Sequence, residues 1–188
     1  MPAPLPRKLR LKDILRRFGE GRKGSAAVEF ALVAPLFFAL LFAIIEIALV
    51  FFATQILETG TQDTARLLLT HQAQDQNLTA EQVRTDLCGR VEVLLSCNGV
   101  MLDVRSYPAG TPFTVPVLFD SSGNAITGNF TYQTPSANSS NIVVVRSFYK
   151  WPLFVTNLGF SLANIGTDKR LLTSTSAFRV EPSPSSGS

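Results

Sequence analysis

Hydrophobic positions are concentrated in one block near the N-terminus. From Phe30 to Ala53 only Glu46 is charged, and the run is rich in Leu, Ala, Ile and Phe. A helix in a soluble domain carries its apolar residues as a stripe, whereas this one is apolar all round, the pattern of a helix in lipid. Its 24 residues reach roughly 36 Å, enough to cross a hydrocarbon core of about 30 Å with some tilt. A cleaved secretory signal peptide has a shorter apolar region, about 7 to 15 residues, followed by a small-x-small site. Here the run is longer, and Phe51-Phe52-Ala53-Thr54-Gln55 supplies no such site. Residues Thr54 to Gln76 are polar but rich in helix formers, with Ile56, Leu57, Leu67, Leu68 and Leu69 among them. One long helix is therefore predicted to leave the bilayer and continue outside it, with Gly60 as a point of bending or local weakness.

Beyond this helix the period changes. Leu78 to Leu95 reads as an amphipathic helix, with Thr79 as N-cap, Gln82 completing a capping box, and Val83, Leu87, Val91 and Leu94 or Leu95 on one apolar face. After Asn98-Gly99, the residues Val100, Leu102 and Val104 alternate with Met101, Asp103 and Arg105, a strand period. Ile142 to Lys150, ended by Trp151-Pro152, reads as a second strand and Leu171 to Val180 as a third. Thr111 to Phe119 is a candidate fourth, demoted by Pro112 and Pro116 to an edge or loop. Asp120 to Asn141, rich in Gly, Ser, Asn and Thr, reads as a long loop, and Pro182 to Ser188 as a disordered tail. The predicted class is α+β: a long N-terminal transmembrane helix extending into a small domain with a second helix and a three- or four-stranded antiparallel sheet.

Charge orients this arrangement. The net charge is +3, but residues 1 to 24 hold eight basic and two acidic residues, so the remainder carries nine basic and twelve acidic ones, a net −3. Basic residues beside an apolar span hold that end in the cytoplasm. The same placement argues against nucleic-acid binding, which an overall basic chain would otherwise invite. Four segments follow: a basic cytoplasmic leader (1–24), the transmembrane helix with its extension (25–76), an exported α+β domain (77–181) and a tail (182–188).

Chemistry is concentrated at the membrane entrance. In Gly24-Ser25-Ala26-Ala27-Val28-Glu29-Phe30 a basic segment ends at a glycine, and a lone carboxylate follows five residues later with an aromatic next to it. Ionisable groups within a span are costly and usually functional, although Glu29 is also near enough to Arg22 and Lys23 to snorkel toward them. Pro35 leaves the Ala31 carbonyl without its helical donor. Glu46 falls near the outer boundary, where a solvated interfacial acid and a helix-packing role are both open. The stretch Ala26-Ala27-Val28-Glu29-Phe30-Ala31-Leu32-Val33-Ala34-Pro35, then Ile45-Glu46-Ile47, then Ala65-Arg66, resembles the TadE-like pseudopilins of tight-adherence (Flp-type, type IV-like) pilus systems. The ending Ala177-Phe178-Arg179-Val180-Glu181-Pro182 is similar to that family's closing strand except at Val180. The resemblance covers residues 22 to about 70 and is weak in the middle of the chain.

What the resemblance implies is a minor pseudopilin taking part in pilus assembly and surface adhesion. A prepilin peptidase would cut between Gly24 and Ser25. Glu29 would set the axial register between subunits, and Phe30, Pro35 and Glu46 would pack membrane helices. The implied partners are other pilin and pseudopilin subunits, that peptidase, the inner-membrane secretion platform and membrane lipid, with no cofactor. The protein would sit in a bacterial inner membrane, N-terminus cytoplasmic and C-terminal domain periplasmic. In the oxidising periplasm, Cys88 and Cys97, the only cysteines, point to a disulfide closing the loop between the second helix and first strand, since a metal site wants more ligands. His71 stands alone and reads as a surface residue. No nucleophile elbow, metal-ligand spacing or phosphate loop occurs, so an enzyme is not expected. The rival reading is an uncleaved single-pass anchor carrying a periplasmic scaffold domain of the cell envelope.

Overall fold

The structure is a computed structural model and describes residues 24–70, 72–134, 141–155 and 161–180. The leader up to Lys23, His71, and the tail from Glu181 lie outside the described residues. A helix, α1, runs Ser25–Leu69 and is continuous through both Pro35 and Gly60. A short turn of helix, α2 (Gln72–Asp75), leads to α3 (Ala80–Val91). Among the described residues three strands follow: β1 (Met101–Tyr107), β2 (Ile142–Pro152) and β3 (Lys169–Arg179). They form one antiparallel sheet in the order β1-β2-β3. Thr111 to Phe119, the candidate fourth strand, is irregular, with a single bridge from Phe119 to Ala125. Its two prolines, with no N–H to donate, leave a ladder there incomplete.

The chain divides into two compact units, Met1–Ile44 and Ile45–Ser188. The first carries the apolar start of α1, its Val, Leu and Phe side chains exposed on all sides, with Phe38 stacked on Phe42. The second begins inside α1 rather than after it. Sequence alone separates the helical extension from the domain at residue 76, but α1 from Glu46 onward supplies the domain's core. Glu46, Val50, Ala53, Leu57, Thr61, Thr64 and Leu68 are all buried and recur at helical spacing of three or four. This stripe is one-sided, unlike the preceding apolar run, because here the helix has protein against one face and not the other.

Two clusters build the core on it. Val50, Ala53 and Leu57 meet Leu87, Val91, Leu95, Val100, Trp151, Leu153 and Leu172. Ala65 and Leu68 meet Val104, Val143, Val145 and Val180. The odd positions of β2 from Val143 to Trp151 point this way. At Ser147, directly among them, the hydroxyl meets that of Thr61 in a buried hydrogen bond. α1 is continuous through Gly60. That glycine lies where α3 crosses, and a Cβ there would meet Val91 Cγ1 at 2.6 Å.

The even positions of β2 face the segment between β1 and β2. Phe148 packs on Phe119 and Phe130 there, with ring centroids 5.1 and 6.0 Å away. The polar side of the β1 alternation is thus covered too, and Asp103 is wholly buried. It is stabilised by Arg146, its cross-strand partner, at 2.8 Å, by Arg105 at 3.0 Å, and by the Thr131 N–H at 2.9 Å. A buried carboxylate needs such partners, since removing one from water is otherwise strongly unfavourable. The segment also guards the free edge of β1, where the Val104 N–H donates to the Thr131 carbonyl and the Gln133 N–H donates to that of Val104.

α3 forms as its sequence predicts. The Gln82 N–H donates to the Thr79 hydroxyl and the Thr79 N–H donates to the Gln82 side chain, a complete capping box. Val83, Leu87, Val91 and Leu95 are buried, and Leu94 is half-buried. Cys88 and Cys97 are disulfide-bonded with Cα atoms 5.3 Å apart. Arg84 reinforces the same turn by donating to the Val100 and Cys97 carbonyls at 3.0 and 2.9 Å.

Candidate functional site

The residues singled out ahead of the apolar run stand at the start of α1. Ser25 opens the helix, and its hydroxyl donates to Glu29 Oε1 at 3.1 Å. The contact follows from helical geometry, because residues four apart share a face. Glu29 and Phe30 are both exposed, as are the apolar side chains that follow them. Pro35 sits inside the helix and is exposed as well. Gly24 has open space around its Cα, with nothing within 4 Å of where a Cβ would stand. Arg22 and Lys23, the alternative partners for Glu29, lie outside the described residues. The segment thus presents a half-buried glycine with room for a side chain, an exposed carboxylate four residues past a helix-opening serine, and a largely exposed apolar surface.

Glu46 is different from these. It is 4 % exposed, and its carboxylate accepts the backbone N–H groups of Phe154 and Val155. Of the two readings open from sequence, a solvated interfacial acid does not describe a buried carboxylate, and the contact made here is to the domain's own backbone. The partners are backbone donors over a hundred residues away in the chain, in the turn after β2. No local pattern around Glu46 could reveal them. The one sequence signal was the carboxylate itself, unpaired in an apolar run.

Cys88, Glu92 and Cys97 bring ligand-type atoms within 4.8 Å of one another, but the disulfide engages both sulfurs. Among the described ionisable groups, Asp120 is held below the ordinary carboxylate range chiefly by the Asn124 backbone N–H, helped by the Asn124 side chain. It orders a surface turn and has no reactive neighbour.

One helix among the described residues, α1, is long and apolar enough to cross a membrane, and its far half builds the core of an α+β domain. By length and composition this helix could serve as a membrane anchor, and from Glu46 onward its residues belong to the domain's core. The family model described as TadE-like protein matches residues 24–66, in agreement with the resemblance read from the sequence. The match begins at Gly24 and takes in Glu29, Phe30, Pro35 and Glu46. It ends before α2, so the likeness read at Ala177 to Pro182 lies beyond it. No curated protein and no solved structure matches the chain.

Proposed function

We propose that this chain is a TadE-like minor pseudopilin: a non-enzymatic component in the assembly of a tight-adherence pilus and in surface adhesion. In this reading α1 crosses the inner membrane with the basic leader in the cytoplasm and the domain from Ile45 in the periplasm. The charge asymmetry across the span sets that orientation, and a disulfide in the domain suits an oxidising compartment. A prepilin peptidase removes the leader after Gly24. The apolar surface of α1 then meets lipid, other pilin and pseudopilin subunits and the secretion platform. The observation that carries the reading is the family match starting at Gly24 and extending over the whole apolar run.

Intact-mass measurement of the membrane-extracted protein tests it. Cleavage after Gly24 leaves 164 residues, the full 188 less the first 24. A full-length chain from cells with an active prepilin peptidase would instead favour the uncleaved anchor.

A further inference from the structure

Three consecutive backbone N–H groups after β2 all have partners. The Leu153 N–H donates to the Asp168 carbonyl at 2.8 Å. The Phe154 N–H donates to Glu46 Oε1, and the Val155 N–H to both carboxylate oxygens, at 3.1 and 3.2 Å. In water such a loop needs no carboxylate, because solvent satisfies its donors and burying an acid for them is unfavourable. In lipid the balance reverses, since non-helical backbone there must find every partner within the protein. The side chains agree with the second setting. Phe154 is 75 % exposed, and Ile45, Leu49 and Phe52 are exposed on the turns of α1 around Glu46. Glu46 stands sixteen residues past Phe30, roughly 24 Å along a span whose hydrocarbon core is about 30 Å thick. The sheet end beside the loop is basic: Lys150 precedes it on β2, and Arg170 and Lys169 pair with Trp151 and Pro152. Basic residues at that level complement anionic headgroups.

We propose that the Leu153–Val155 loop is a second membrane contact of this chain, seated at the boundary of headgroups and acyl chains with Phe154 in lipid and its backbone donors closed by Glu46. The inference rests on the reading that α1 spans a bilayer. Glu46 is then a positioning residue: it sets the domain's depth and tilt on the membrane.

Full-length protein carrying a single environment-sensitive fluorophore on a cysteine replacing Phe154, Phe37 or Val93 is reconstituted in vesicles of phosphatidylcholine and phosphatidylglycerol. Quenching by nitroxide lipids is then measured. Val93 is exposed in the turn after α3 and serves as the aqueous reference. Quenching at residue 154 should exceed that at residue 93 by about threefold or more, as for a side chain seated in the interface. Glu46→Ala should lower the signal at residue 154 and leave residue 37 unchanged. Glu46→Gln, which keeps the volume and one acceptor oxygen, should fall between them and guards against loss of folding. If residue 37 is quenched and residue 154 matches residue 93, the loop faces water or a protein partner and the proposal fails alone. If residue 37 is not quenched, the spanning reading fails first. Unchanged quenching at residue 154 in both Glu46 variants would overturn the role given to Glu46.

Discussion

Gly60 on α1 and Val91 on α3 approach so closely that a single methyl group on Gly60 would stand 2.6 Å from Val91 Cγ1 and 3.2 Å from Leu87 Cδ1. Val91 is β-branched and held stiffly within its helix, so it has little room to yield. Gly60→Ala gains about 1 kcal/mol of helix propensity. Overpacking of this kind costs about 1–3 kcal/mol. The net loss should be small, within about 2 kcal/mol. Gly60→Leu gains nearly the same propensity but drives a far larger side chain into Val91 and Leu87, and should cost more than about 3 kcal/mol. Thermal unfolding of the detergent-solubilised chain, followed by circular dichroism, measures both. Equal stability of wild type and the leucine variant would show that the helices part freely.

Asp103 offers a second test. Asp103→Ala leaves Arg105 and Arg146 in a covered site without their carboxylate, a change that typically costs about 3–5 kcal/mol. Asp103→Asn keeps the acceptor for the Thr131 N–H and should lose less. Chemical denaturation separates the two variants. The segment between β1 and β2 should also exchange its amide hydrogens faster in the alanine variant, because Arg105 donates to the Asn129 carbonyl and Arg146 to that of Pro116.

Reduction of the Cys88–Cys97 disulfide opens a short loop and should lower stability by about 2–3 kcal/mol. Arg84 still ties the turn through the Cys97 and Val100 carbonyls, so the fold should survive in the reduced protein. Thiol labelling of the native protein should find no free cysteine.

Asp120 gives the domain a local pH response. Its carboxylate accepts the Asn124 and Ser122 backbone N–H groups at 2.7 and 2.9 Å, and its pKa is lowered by them. A carboxylate whose folded pKa is depressed stabilises the turn above its unfolded value and loses that contribution as pH falls through the folded one. The Asp120–Asn124 turn should therefore be intact at neutral pH and loosen only below the ordinary aspartate value of 3.8. Amide exchange at Ser122 and Asn124 reports it, and loosening that begins above that value would contradict the assignment.

At the membrane entrance, Glu29 should act in assembly and not in folding. Under the proposed processing, removal of the leader would leave Ser25 with a new amine, four residues from Glu29 and on its face of the helix. Each isolated charge costs about 3 kcal/mol in a span on insertion scales. Pairing offsets this, with the partner amine coming from Ser25 or from a neighbouring subunit. Glu29→Ala should leave the protein expressed, inserted and cleaved, but reduce crosslinking to partner pilins and impair piliation. Unchanged crosslinks and normal pili would assign Glu29 to interfacial snorkelling alone.

Sequence by itself determined the elements whose evidence is local. The apolar run of α1 is legible because lipid requires a continuous apolar length, and α3 because a capping box and a four-residue apolar period lie within one segment. β1 announces itself by alternation and β2 by its run of Val and aromatics, and the order of Gly24, Ser25, Glu29 and Pro35 along the chain carries the family resemblance. Tertiary structure alone decided what Glu46, Gly60 and Asp103 do. Each is read wrongly or left open by its neighbours, since its partners come from elsewhere: the Phe154 and Val155 amides for Glu46, Val91 for Gly60, Arg146 and Thr131 for Asp103. It also decided that the far half of α1 belongs to the domain. The stripe from Glu46 to Leu68 mixes an acid, two threonines and a glycine with its apolar residues, so hydropathy gives it no single face. What unites those positions is burial against α3 and β2, and burial is a property of the packed chain, set by contacts between residues that local pattern cannot pair.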